Sequence, residues 1–166
     1  MQRPVAGKRI ATALATASLA AALGAAGAAP VQAADQSTTP EPVSFVIDFT
    51  TTSIPQVPSL GGGFAGNGPV TDALGRRIGK VYDTCTFNAI EGLTSASALC
   101  KAVVVFNDGD QLSLSGQAKI ELNPLKYPYE FKAMVEGGTG DYNGARGEAT
   151  VTAERPGVYK VDVQFK

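Results

Sequence analysis

The chain has 166 residues, 14 Lys and Arg against 15 Asp and Glu, no His and only two Cys. The absence of His excludes Ser-His-Asp and Cys-His nucleophilic machinery, imidazole metal sites and imidazole general bases. Any catalysis must use carboxylates, Arg, Lys, Tyr, Cys or oriented amides, and the scattered basic residues form no nucleic-acid footprint.

Residues 1–33 read as a secretory signal. Arg3, Lys8 and Arg9 precede an Ala-rich apolar run from Ile10 to Ala29, and Val31-Gln32-Ala33 offers a cleavage site ahead of Ala34. Without a Leu-rich core or basic stop-transfer flank, the run predicts export and no stable membrane anchor. The remaining 133 residues suffice for one domain with a real core, and carry a charge of about −4 once three basic residues leave. Residues 34–42, with Pro40 and Pro42, read as a flexible leader.

The domain spans 43–166. Val43 to Thr51 is β-branched and aromatic, with Phe45, Ile47 and Phe49 on one side and Val46, Asp48 and Thr50 on the other, so a strand covered on both faces is expected. Asp48 would there be desolvated, its pKa raised into the range of an acid or base near neutrality. Alternatively, it is satisfied by backbone amides at a rim. Residues 53–70 hold three Pro and five Gly and are expected to form a long loop. Gly61-Gly62-Gly63-Phe64-Ala65-Gly66 matches the dinucleotide fingerprint by letter, but Asn-Gly-Pro follows and no helix opens there.

From Arg76 strand follows strand. Ile78 to Ile90 leads through Glu91-Gly92-Leu93 to Ala98–Phe106, and Asn107-Asp108-Gly109-Asp110 reads as a tight hairpin turn. The same four residues fail the spacing of a calcium loop, and no metal site is expected. Gln111 to Leu122 alternates, with Leu112, Leu114, Gly116, Ala118, Ile120 and Leu122 apolar and the intervening residues polar. Tyr129–Val135 and Ala145–Glu154 flank a corner with five glycines in Glu136–Val151, and Tyr159–Phe165 alternates after the Pro156-Gly157 turn. Seven or so strands and no helical period make the class all-β, a closed barrel or a sandwich.

Cys85 and Cys100 suit one hairpin. Pairing about a centre between Gly92 and Leu93 sets Cys85 opposite Cys100, Phe87 opposite Ala98 and Val81 opposite Val104. Export makes a bridge the default over a reactive thiol, and a loop of that size stabilises by about 3 kcal/mol. Tyr82, Tyr129 and Tyr142 are candidates for a pocket or for an interface.

In order, the pieces R-R-I-G-K-V-Y-D-T-C, N-D-G-D-Q-L-S-L-S-G-Q and E-G-G-T-G-D-Y-N-G-A-R-G-E resemble the allene oxide cyclase barrel group, to which the dirigent proteins are related. The resemblance covers nearly all of 43–166. It implies a closed eight-stranded antiparallel β-barrel with an apolar cavity, often a homotrimer. Such a barrel takes a small hydrophobic molecule and guides its stereoselective cyclisation or isomerisation with no redox cofactor. It further implies a cavity Asn at Asn67 that orients a water or an enolate-like oxygen, a cavity Cys at Cys85, and an acid or base at Asp48. Asp141 and Arg146 fall near dirigent pocket positions, although by parity Arg146 shares a face with Glu148 and reads as a solvent-facing ion pair. The alternative is a non-catalytic extracellular small-molecule-binding or interaction module, and a barrel filled by its own side chains would favour it.

Overall fold

A computed structural model describes residues 39–50, 57–92 and 94–166. The signal segment and most of the leader lie outside the described residues, and no helix among those described is long and apolar enough to cross a membrane.

Eight strands run β1 Val43–Asp48, β2 Gly63–Thr71, β3 Arg77–Ile90, β4 Ser95–Phe106, β5 Gln111–Glu121, β6 Tyr129–Gly138, β7 Gly147–Arg155 and β8 Val158–Phe165. Each pairs antiparallel with the next, and β1 returns to β8, so the sheet closes into an all-β up-and-down barrel. Closure removes the sheet edges, and strand alternation sends every second side chain into the lumen. Thus Phe45 and Ile47 are buried on β1 while Ser44 is exposed and Val46 and Asp48 are half-buried, which corrects the expectation of a strand covered on both faces.

From Gly79 to Phe87 the β3–β4 hairpin has the expected register, and a bulge between Phe87 and Ala89 shifts it by one residue nearer the turn. Cys85 pairs with Cys100, Phe87 with Ala98 and Val81 with Val104, and the two cysteines are joined as a disulfide. Asn107–Asp110 is the expected turn, with Gly109 at φ 98° and the Asp110 amide donating to Asp108 Oδ1 at 3.0 Å.

The long loop expected over 53–70 is half strand. β2 pairs with β3 along its whole length, yet meets β1 only at Val46↔Thr71 and Ile47↔Val70. Pro69 is tolerated because that side of the strand needs few donors. The glycines permit close approach: a Cβ on Gly68 would sit 2.0 Å from the Asp48 carbonyl oxygen, and one on Gly63 would sit 2.2 Å from that of Cys85.

The barrel is tighter at one end than at the other. At the end where β1 begins and β8 stops, the lumen holds Phe45, Val70, Val81, Val104, Leu112 and Val163, all essentially inaccessible. The glycine corner between β6 and β7 seals this end. A 3-10 turn at Gly140–Tyr142 carries the Tyr142 ring onto Phe106 at 5.3 Å and Phe165 at 5.7 Å between centroids. Gly140 has φ +58°, and a Cβ there would overlap the Asp110 carboxylate, whose Oδ2 accepts the Asp141 amide at 2.8 Å.

At the other end β5 and β6 diverge, pairing only from Leu112↔Gly138 to Ser115↔Met134. Two tyrosines bridge the gap. The Tyr129 hydroxyl donates to the Lys119 carbonyl at 2.8 Å and the Tyr127 hydroxyl to the Glu121 carbonyl at 2.6 Å. Outside the wall, the connection through Pro124–Lys126 covers Glu121, which is 2 % exposed and accepts from Ser95 Oγ at 2.6 Å and the Asn123 amide at 2.9 Å. Burial pushes this carboxyl up, but Ser95, the Asn123 amide and Lys126 together more than reverse it and hold the pKa at about 2.

Candidate functional site

The cavity follows from side-chain size. From mid-barrel toward the end where β5 and β6 part, the inward positions of β4, β5 and β6 are Ala98, Cys100, Ala102, Gly116, Ala118 and Ala133. Small residues on neighbouring strands leave a cavity of about 100 Å³, floored by Ile47, Leu114, Val151 and Val161 and flanked by Phe49, Phe64, Phe131 and Tyr159. The four aromatic rings are only half-buried, and Phe49–Tyr159 and Phe131–Tyr159 contacts at 6.0 and 6.5 Å hold three of them together.

Three residues of the lining bear side-chain oxygens; Ser115 turns its hydroxyl away to Glu136 at 2.7 Å, and Asp83 and Tyr159 remain. Asp83 lies on β3 two residues before Cys85, facing inward, and its cross-strand neighbours are Gly66 on β2 and Ala102 on β4. Neither neighbour has a side chain long enough to cover it. Its Oδ1 is buried without a hydrogen-bond partner among the described residues. Desolvation raises the Asp83 pKa, only partly offset by the backbone amides of Gly66 and Asp83 itself. The Tyr159 phenol is pushed far above its ordinary value, first by burial and then by the charges of Tyr127 and Asp83, so it stays a neutral donor. The disulfide forms the adjoining wall, with Cys85 Sγ 3.8 Å from Asp83 Oδ2. A disulfide sulfur carries no hydrogen, so this is a van der Waals contact.

The residues singled out from the sequence fall mostly elsewhere. Asp48 ends β1 at the rim and accepts the Thr50 amide at 2.8 Å. Its pKa is lowered, first by the Thr50 side chain and then by the Thr50 amide, which corrects the expectation of a raised value and bears out the rim alternative. Asn67 is exposed on the outer face of β2, opposite Tyr82 on β3, because the inward positions of β2 are Phe64, Gly66, Gly68 and Val70. Tyr82 is 50 % exposed beneath the Lys80 ammonium, 4.9 Å from the ring centroid. Tyr142 belongs to the aromatic seal at the far end, Asp141 beside it is exposed, and Arg146 is exposed with its guanidinium donating to the carbonyls of Glu136 and Ala145. Of the expected set, Cys85 and Cys100 line the cavity.

Asp83 was the residue missed, although the signal was in the sequence. The hairpin register that aligns Val81, Cys85 and Phe87 on one face places Asp83 on that face too. A carboxylate interrupting an inward apolar row is the anomaly worth reading.

No family model and no curated protein matches this chain. Among solved structures, it is similar to a pterocarpan synthase dirigent protein, at 19 % identity and a TM-score of 0.57, covering 74 % of this chain and 84 % of that one. It is also similar to a pyocyanin demethylase, at 15 % identity and a TM-score of 0.54, covering 76 % of this chain and 100 % of that one. The fold is a closed eight-stranded antiparallel barrel, like that of these two structures. At these identities the likeness concerns the backbone. The barrel supplies a wall and a lumen, and a function must be argued from what this chain places inside.

Proposed function

We propose that this barrel binds a small hydrophobic molecule in the cavity beside Asp83 and guides its isomerisation or cyclisation. The observation that carries the reading is the buried Asp83 Oδ1, without a hydrogen-bond partner among the described residues, in a lumen walled apart from Tyr159 by apolar groups. A desolvated carboxylate with an open acceptor position has a use if a ligand donates to it, and a raised pKa suits it to exchange a proton near neutrality. Tyr159, held neutral, donates to an oxygen on the same ligand. The walls restrict the ligand to one reactive conformer, which lowers the entropic part of the barrier. No cofactor is required for such a step.

A cavity of about 100 Å³ is somewhat smaller than one that admits benzene, at about 150 Å³, so it grips a chain end or the edge of a ring of a larger molecule. This small volume favours the second reading, a non-catalytic binding module that uses the same cavity. In either case the amino-terminal signal supports export, and the dirigent-like fold supports assembly as a homotrimer, which light scattering on the purified protein tests.

Native mass spectrometry of the protein from its own culture medium, with extraction of whatever is bound, tests the reading. A co-purifying hydrophobic molecule that Asp83→Asn still binds but no longer converts supports the enzyme. Binding without conversion by the wild type supports the module, and a barrel that takes up nothing from a hydrophobic library sinks both.

A further inference from the structure

The disulfide is part of the cavity wall, and its two sulfurs are not equivalent. Cys85 is 5 % exposed, whereas Cys100 is half-buried, and both line the cavity. Cys85 Sγ alone has a carboxylate beside it, Asp83 Oδ2 at 3.8 Å. Cys85 has Phe64 beside it on β2, whereas Cys100 has Gly116 beside it on β5, so no side chain on β5 covers Cys100.

Thiol–disulfide exchange needs an approach to one sulfur and a means of stabilising the other as it leaves. Both conditions are met here, on opposite sulfurs. We propose that Cys100 is a thiolation site: a small apolar thiol entering the lumen forms a mixed disulfide with Cys100, and Asp83 delivers the proton that releases Cys85 as a thiol. The incoming thiolate attacks Cys100 Sγ, a new S–S bond forms there, and the Cys85–Cys100 bond breaks. The electron pair goes to Cys85 Sγ, and the Asp83 carboxyl gives up its proton to it. The overall change is one thiol consumed, one mixed disulfide formed and one protein thiol gained, with no other oxidant or reductant. Desolvation of Asp83 favours its protonated form and so supports the step. A second thiol reverses it, regenerating the wall. Occupancy at Cys100 would place the incoming group among Phe64, Ala118 and Ala102, where a hydrophobic ligand would otherwise sit.

This inference rests on the lumen admitting a small apolar molecule, not on turnover. The full-length, disulfide-intact protein is incubated with benzyl mercaptan or with glutathione at equal thiolate concentration. Intact mass and peptide mapping after alkylation locate the adduct and the freed thiol. The expected result is one benzyl adduct on Cys100, alkylation on Cys85, and a rate at least about tenfold above that of glutathione, which is too polar for the lumen. Asp83→Asn is expected to slow the exchange by about tenfold or more while leaving the site of attack unchanged. An adduct on Cys85, an even split, equal rates for the two thiols, or no adduct in the folded protein overturns the proposal, and these wild-type outcomes decide it even if the variant fails to fold. A hydrophobic-dye titration run alongside separates the two readings. Dye uptake without a Cys100 adduct removes this inference alone, and the absence of both dye uptake and adduct removes the ligand-binding reading with it.

Discussion

The two ends of the barrel use the same strands to opposite purposes. At one end the inward positions carry Phe45, Leu112 and valines, and the glycine corner presses Tyr142 onto Phe106 and Phe165. At the other, β4, β5 and β6 carry Ala102, Gly116, Ala118 and Ala133, and a cavity remains with a carboxylate in it. Side-chain volume within one closed wall is therefore enough to divide a stabilising half from a binding half.

The comparison is broken most directly at the sealed end. A Cβ on Gly138 would lie 1.8 Å from the Gln111 carbonyl oxygen and 2.8 Å from Tyr142 Cβ, so Gly138→Ala is expected to cost about 3 kcal/mol or more, or to prevent folding. Tyr142→Ala removes the seal without a clash and should cost about 3 kcal/mol in urea unfolding. Its ligand affinity should stay near wild type, because the ring is remote from the cavity. A comparable loss of affinity would mean that the halves are not separate.

Glu121 tests the cavity end from outside the wall. Its folded pKa of about 2 lies below the ordinary 4.5, so its contribution to stability is present above pH 4.5 and is lost as pH falls toward 2. Glu121→Gln should remove about 2 kcal/mol at pH 7 and flatten the stability curve over that acid window. An unchanged slope would show that Ser95 and Lys126 do not act on the carboxylate.

Inside the cavity the expected signs reverse. Asp83 has a raised pKa, so its carboxylate destabilises the fold increasingly as pH rises above the unfolded value. Asp83→Asn should therefore stabilise the protein at pH 7 in urea unfolding, while abolishing conversion of any ligand. Ala102→Leu should fill the lumen, changing stability by about 1 kcal/mol and reducing ligand affinity at least about tenfold. The smallest effect is expected of Asn67→Ala, whose exposed outer position should leave affinity within about twofold. A large loss there would move the site to the outer face.

How far the residues could be read alone varies with the interaction that places them. Local alternation determined most of the strands, and the symmetry of a hairpin about Gly92–Leu93 determined the β3–β4 register and the cysteine pair, because each depends on neighbours in sequence. The same parity already held Asp83 on the inner face. The strand nature of Gly63–Thr71 was not legible, since Pro69 and the glycines are unfavourable in a strand until β3 supplies a partner and close backbone contacts exclude a Cβ. Nor was the fate of Asp48, decided by a hydrogen bond at the rim, or of the glycine corner, whose end of the barrel is set only when the sheet closes. The sequence by itself determined the all-β character, the register of one hairpin and the cysteine pair. Only the tertiary structure decided which inward residues would fill the lumen and which would leave it open, because a cavity depends on the summed volumes of strands far apart in the chain.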